Sequence, residues 1–114
     1  MPRCAADLDL TFRALAAPAR RAVVARLSAG PATVSELAAP FDMALPSFMQ
    51  HLDVLEEGGL VRSHKVGRVR TYELVQPQLK RAAHWLDVQR DLWERRFDQL
   101  DALVTAPQPR KSRR

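Results

Sequence analysis

The chain has 114 residues, 27% of them charged and 6% aromatic, with a net charge of +5 and a sequence pI near 10.3. That length suits one domain with a modest core, and the basic balance suits a polyanionic partner. A single cysteine, Cys4, excludes an intrachain disulfide and fits a reducing cytosol. No apolar run approaches the roughly 20 residues of a membrane span, and the start lacks a signal peptide's apolar core.

In chain order, Met1–Asp7 is expected to be a flexible N-terminus. Leu8–Ala16 follows as a short helix with Leu8, Phe12 and Leu15 on one side. Pro18 opens a second helix, PARRAVVARLSAG, which Gly30-Pro31 stops. Its inward stripe is expected to be Ala19, Val23 and Leu27, or Ala22 with Val23, leaving Arg20, Arg21 and Arg26 in solvent.

The stretch Thr33–Tyr72 carries the organisation of the molecule. VSELAAPF, Val34–Phe41, holds Ser35 where it can cap a helix and Glu36 where an acid favours the helix dipole. After the turn Asp42-Met43-Ala44 comes LPSFMQHLDVLEEGG, with Pro46 in the first turn, where a missing N–H is tolerated. Phe48, Leu52 and Leu55 recur at four and three residues and should point inward. Pro46, Gln50 and Asp53 lie opposite, with Ser47 and Met49 on the flanks. Gly58-Gly59 closes the helix, since glycine accepts the left-handed conformation of C-caps. This is a helix-turn-helix whose second helix offers a small polar face to a DNA major groove.

Leu60–Val66 and Val69–Val75 both alternate and flank Gly67-Arg68, a hairpin pattern. Arg62, Lys65, Arg68 and Arg70 crowd a stretch of nine residues containing no acid. A cationic ribbon directly after a helix-turn-helix is a winged helix. The expected DNA contacts are Ser35, Pro46, Ser47, Met49, Gln50, His51, Arg62, Lys65, Arg68 and Arg70. Gln50 suits bidentate pairing with adenine, and Met49 either a thymine methyl or plain packing. His51 is either a neutral histidine at the core's edge or a phosphate contact. Ala44 offers no side-chain cap, and Asp53 on the exposed face is repelled by phosphate unless it accepts from a cytosine amine.

The run TVSELAAPFDMALPSFMQHLDVLEEGGLVRSHKVGRVRTYELV resembles the winged-helix repressors of the arsenic-repressor (ArsR) type, a likeness extending from about Phe12 to about Val104. The resemblance implies a homodimeric bacterial transcription factor, usually a repressor, on a palindromic operator. Metal-sensing members carry a Cys-x-Cys type motif in the first helix of the helix-turn-helix. Ser35–Phe41 contains neither cysteine nor histidine, so that site is missing here. Another family site uses Asp, His and Glu ligands on the last helix. Here His84, Asp87, Asp91 and Glu94 approximate one helical face, one histidine among three acids, which reads as a salt-laced surface. No metal and no cofactor is expected.

The longest helical pattern runs from about Gln78 to Val104. One stripe is Leu79, Ala83, Leu86, Arg90, Trp93, Phe97, Leu100 and Val104; Trp85, Val88 and Leu92 form a second beside it. An apolar surface that wide exceeds what one small domain covers, which predicts burial by a second subunit. In the resembling family the first and last helices form the dimer interface, so Leu8, Phe12, Leu86, Trp93, Phe97 and Leu100 are its expected residues here. The tail Pro107–Arg114 holds four cations and no acid, so residues 1–106 carry a net charge of only +1. It is expected to be disordered, adding non-specific DNA attraction or simply solvated.

The expected fold is mainly α with a small β-hairpin, a winged helix-turn-helix over residues 8–104 between a flexible N-terminus and a basic tail at 105–114. The expected function is a sequence-specific, cytoplasmic and nucleoid-associated DNA-binding regulator. The alternative is a winged-helix adaptor that binds protein rather than DNA. Catalysis is not expected: there is no Gly-rich phosphate loop and no supported nucleophile–base set. Trp85 and Trp93 are either interface core or, with the first helix, the walls of a pocket for a small organic inducer, while the operator and the role of Cys4 stay open.

Overall fold

The computed structural model describes residues 4–104, with side chains from Leu8 to Leu103. The elements in order are α1 (Cys4–Ala14), α2 (Pro18–Leu27), β1 (Ala32–Thr33), α3 (Val34–Ala38), α4 (Leu45–Glu57), β2 (Val61–Val66), β3 (Val69–Leu74) and α5 (Gln76–Val104). They fall into two compact units, one up to Ala82 and one from Ala83.

The first unit is the winged helix-turn-helix. Its core gathers Ala14, Val23, Val24, Leu27, Leu37, Phe48, Leu52, Leu55, Leu60, Val61 and Tyr72. The four-three spacing of α4 is realised: Phe48, Leu52 and Leu55 are fully buried. In α2 the inward stripe is Val23, Val24 and Leu27; Ala22 is exposed and Ala19 half-buried. Helix α1 begins at Cys4, inside the stretch expected to be flexible. The N-terminal residues 1–3 and the tail lie outside the described residues, as does the side chain of Cys4.

Three local features differ from expectation for identifiable reasons. The cap of α3 is Thr33, not Ser35. Its hydroxyl accepts from the Glu36 N–H at 3.2 Å, and the Glu36 carboxylate accepts from the Thr33 N–H at 2.9 Å. The Thr-x-x-Glu spacing makes this reciprocal box possible, whereas Ser35 lies inside the helix. The backbone bond from Thr33 holds the Glu36 carboxyl below its usual pKa.

At the end of α4 only Gly59 takes a left-handed φ, +75°, while Gly58 has φ −77°. The Leu60 N–H reaches the Leu55 carbonyl and the Gly59 N–H that of Glu56, a Schellman closure. Gly58 is required for another reason: a Cβ there would lie 2.8 Å from the Leu10 carbonyl oxygen and 2.9 Å from the Ala14 Cβ. Helix α1 therefore packs directly on the backbone of α4. The buried Thr11 hydroxyl donates to the Gly58 carbonyl at 2.8 Å across the same contact.

The sheet has three strands, not the two of a simple hairpin. Its order is β1-β3-β2, all antiparallel, with Ala32 opposite Tyr72 and Thr33 opposite Thr71. In the β2–β3 hairpin Val66 pairs with Val69 across Gly67-Arg68. Gly67 alone takes a positive φ, +62°, the pattern of a turn with glycine at its first central position.

The second unit is the length of α5 from Ala83 onward. Trp85, Leu86, Val88, Leu92, Trp93, Phe97, Leu100 and Leu103 are all exposed in the single chain. The rings of Trp93 and Phe97 stack obliquely, with centroids 5.6 Å apart. No described helix is long and apolar enough to cross a membrane.

Candidate nucleic-acid interface

Helices α3 and α4 are held together by apolar packing. Phe41, just after α3, meets Phe48 of α4 at a ring-centroid distance of 5.4 Å. That contact anchors the buried side of α4 and turns its other side outward. Pro46, Ser47 and Gln50 are exposed, as is Asp53. Among the described residues neither Ser47 nor Gln50 has a side-chain partner within the protein. Met49 is instead half-buried against the core, which favours packing over contact with a base. Ser35 is exposed on α3.

Two exposed apolar residues adjoin the polar face of α4. Met43 is 38% and Leu45 54% exposed, immediately before and at the start of α4. The pattern that identifies core positions cannot flag Met43, which lies in a turn where no period applies, and at Leu45, the first residue of α4, the period has only begun.

His51 is half-buried, and its Nδ1 lies 2.9 Å from Arg20 Nη1. Arg20 is therefore not a solvated side chain. Its Nε donates to the Ala14 carbonyl at 2.8 Å and its Nη2 to that of Arg13 at 3.2 Å. Arg21 and Arg26 are exposed, and each also donates to a backbone carbonyl, of Leu15 and Gly30 respectively.

The wing separates its four cations by strand parity. Paired residues of an antiparallel ladder share a face and successive residues alternate. Ser63–Tyr72 and Lys65–Arg70 therefore share one face, and Arg62–Glu73 occupies the other. The first face is the one that meets α4: the Ser63 hydroxyl donates to Glu56 at 3.3 Å and accepts from Arg70 Nη1 at 2.9 Å. Burial raises the pKa of Tyr72 on that face, and the Glu56 carboxylate adds to the effect. On the opposite face Arg62 is held by Glu73 at 2.5 Å, and the hydrogen bond from Arg62 lowers the Glu73 pKa. Among the described residues Lys65 and Arg68 have no hydrogen-bond or ion-pair partner. The four cations are thus two uncommitted charges near the tip, one tethered toward α4 and one paired on the outer face.

On α5, Arg90 pairs with Asp87 at 3.4 Å and lies 4.0 Å from Asp91. Among the described residues no group of three or more His, Cys, Asp or Glu side chains is gathered as a metal ion would require.

Comparison with known proteins agrees with this geometry. A helix-turn-helix domain family matches residues 15–64, from the end of α1 into β2. The crystal structure of an ArsR family transcriptional regulator, RHA00566, is 54% identical and superimposes with a TM-score of 0.76, covering 82% of this chain and 97% of that one. The HTH-type transcriptional regulator Rv2034 of Mycobacterium tuberculosis is 42% identical over 66 residues, 58% of this chain. The match spans 62% of that relative, just under two thirds of its length. A solution structure of a homodimeric winged helix-turn-helix DNA-binding domain, Mb0332 of Mycobacterium bovis, is 22% identical with a TM-score of 0.61. It covers 77% of this chain and 83% of that one, a likeness of fold alone. A winged helix with an outward polar helix face, matched along most of its length by such regulators, has one assignment: the chain belongs to the ArsR family of transcriptional regulators, DNA-binding proteins rather than enzymes.

Proposed function

We propose that the protein binds a specific operator as a homodimer and represses transcription by covering promoter DNA. The observation that carries this is the division of α4. Phe48, Leu52 and Leu55 are wholly buried, while Ser47 and Gln50 face outward with unspent hydrogen-bonding groups. In this reading α4 enters the major groove, with Gln50 and Ser47 meeting base edges or phosphates and Leu45 supplying apolar contact to a thymine methyl. Lys65 and Arg68 meet the phosphate backbone, Arg70 supports the wing on its α4 side, and Arg62 contributes mainly to the ribbon itself.

Dimerisation uses the exposed face of α5 after Ala83, with Leu86, Trp93, Phe97 and Leu100 at its centre; Leu8 and Phe12 of α1, both half-buried, are the other expected contributors. Large aromatics left half exposed are costly in water, and a second copy of the same face removes them from it. The homodimeric state of the M. bovis domain is consistent with this arrangement. Two copies about a twofold axis set two α4 helices about 34 Å apart, so the operator is an inverted repeat. The domain runs over residues 8–104, and the regulator works in the cytoplasm.

The test is binding to the protein's own promoter DNA across a salt series. Phosphate-driven association falls steeply with salt as counterions are released. Negligible binding at every salt concentration would contradict the proposal and favour a protein-binding adaptor.

A further inference from the structure

We infer that Arg20, outside the helix-turn-helix, is a positioning residue for DNA recognition: it fixes His51 of α4 as a hydrogen-bond donor toward the operator. The inference rests on the proposed function and adds a residue to it.

A guanidinium only donates. The 2.9 Å contact between Arg20 Nη1 and His51 Nδ1 therefore requires a lone pair on Nδ1. A neutral imidazole with its lone pair on Nδ1 carries its proton on Nε2. The tautomer is thus set by Arg20, and Nε2–H, on the far side of the ring, is left as a donor. His51 follows Gln50 and lies one turn beyond Ser47, so this donor stands at the edge of the exposed face of α4. Its complement on a duplex is an acceptor, and the nearest abundant one is a phosphate oxygen.

Arg20 is itself immobilised. Its other two contacts are at the end of α1: the Ala14 carbonyl, which accepts from Arg20 Nε, and the Arg13 carbonyl, which also accepts from the Ala16 N–H at 3.1 Å. One planar cation thus joins the end of α1, the start of α2 and the middle of α4. Lysine, with a single nitrogen, cannot span those three positions.

The test has a part that needs no DNA and a part that does. In the wild-type protein alone, nitrogen-15 chemical shifts of the His51 imidazole should show one tautomer, protonated on Nε2. A proton on Nδ1, or an even mixture, would overturn the inference without needing any variant to fold. The second part uses a duplex enriched by the wild-type protein from random-sequence DNA. Arg20→Gln should weaken binding about tenfold in the wild-type background, a typical coupling between touching residues, and less than about twofold in a His51→Ala background. Equal losses in both backgrounds would assign Arg20 a purely structural role and overturn the inference. If the wild-type protein enriches no duplex, the proposed function itself fails, a result distinct from equal losses.

Discussion

Arg62 and Lys65 stand three residues apart on β2, and that odd separation sends them to opposite faces of the wing. Arg62 turns to Glu73, its cross-strand partner, while Lys65 and Arg68 have no partner among the described residues. A run of cations is visible in sequence, but the acid that neutralises one of them lies across the hairpin, outside the run. Replacing Lys65 and Arg68 together by alanine should weaken binding to all sequences and reduce the slope of log affinity against log salt by about 2, near one per phosphate contact. Arg62→Ala should leave that slope nearly unchanged. An equal reduction from Arg62→Ala would contradict the division of the wing. Gln50→Ala should instead relax preference at one base pair, worth about 1–3 kcal/mol of discrimination, measured by competition between single-base operator variants. The same limit explains Arg20 and His51. Helical spacing tells which face a side chain occupies, but not that two faces distant in sequence converge on one nitrogen.

At the scale of elements, α4 was legible because its apolar residues repeat at four and three, and the burial of Phe48, Leu52 and Leu55 follows that repeat. Strand β1 was not legible: two residues, Ala32 and Thr33, cannot display a period. Thr33 and Ser35, two residues apart, are both of types that cap helices, and only the position of Glu36, three residues after Thr33, separates them. Thr33→Ala should cost about 1 kcal/mol of stability, read from urea unfolding. The hydrogen bond from the Thr33 backbone holds the pKa of its partner Glu36 below the ordinary carboxylate value, so its contribution is complete above that ordinary value and is lost as pH falls through the folded pKa. The melting-temperature gap between wild type and Glu36→Ala should therefore narrow as the solution is acidified below the ordinary carboxylate range. A gap independent of pH would show that the charged capping box is not the source. Gly58 makes a sharper point about glycines. Adjacent glycines look alike in sequence, yet Gly59 serves backbone conformation and Gly58 serves the approach of α1. Gly58→Ala, pressing against the Leu10 carbonyl, should destabilise by about 1–3 kcal/mol and loosen the α1–α4 contact. Unchanged stability would mean that α1 yields without cost.

For the whole molecule, two faces that the single chain leaves uncovered determine the proposed activity: the polar side of α4 and the apolar side of α5. The stripe on α5 was legible from its spacing, and its exposure in the single chain adds the reason for a partner. Trp93→Glu should shift the protein toward monomer in light scattering, because a charge within an apolar seam is costly to bury. It should also reduce operator affinity, since each half-site would then be bound alone. The most direct measurement is selection of bound sequences from genomic DNA by the intact protein, followed by footprinting of the enriched duplex. The expected result is an inverted repeat protected over two half-sites centred about one helical turn apart, with two protein chains on each duplex. Enrichment of no common sequence, or protection of one isolated half-site by one chain, would contradict it.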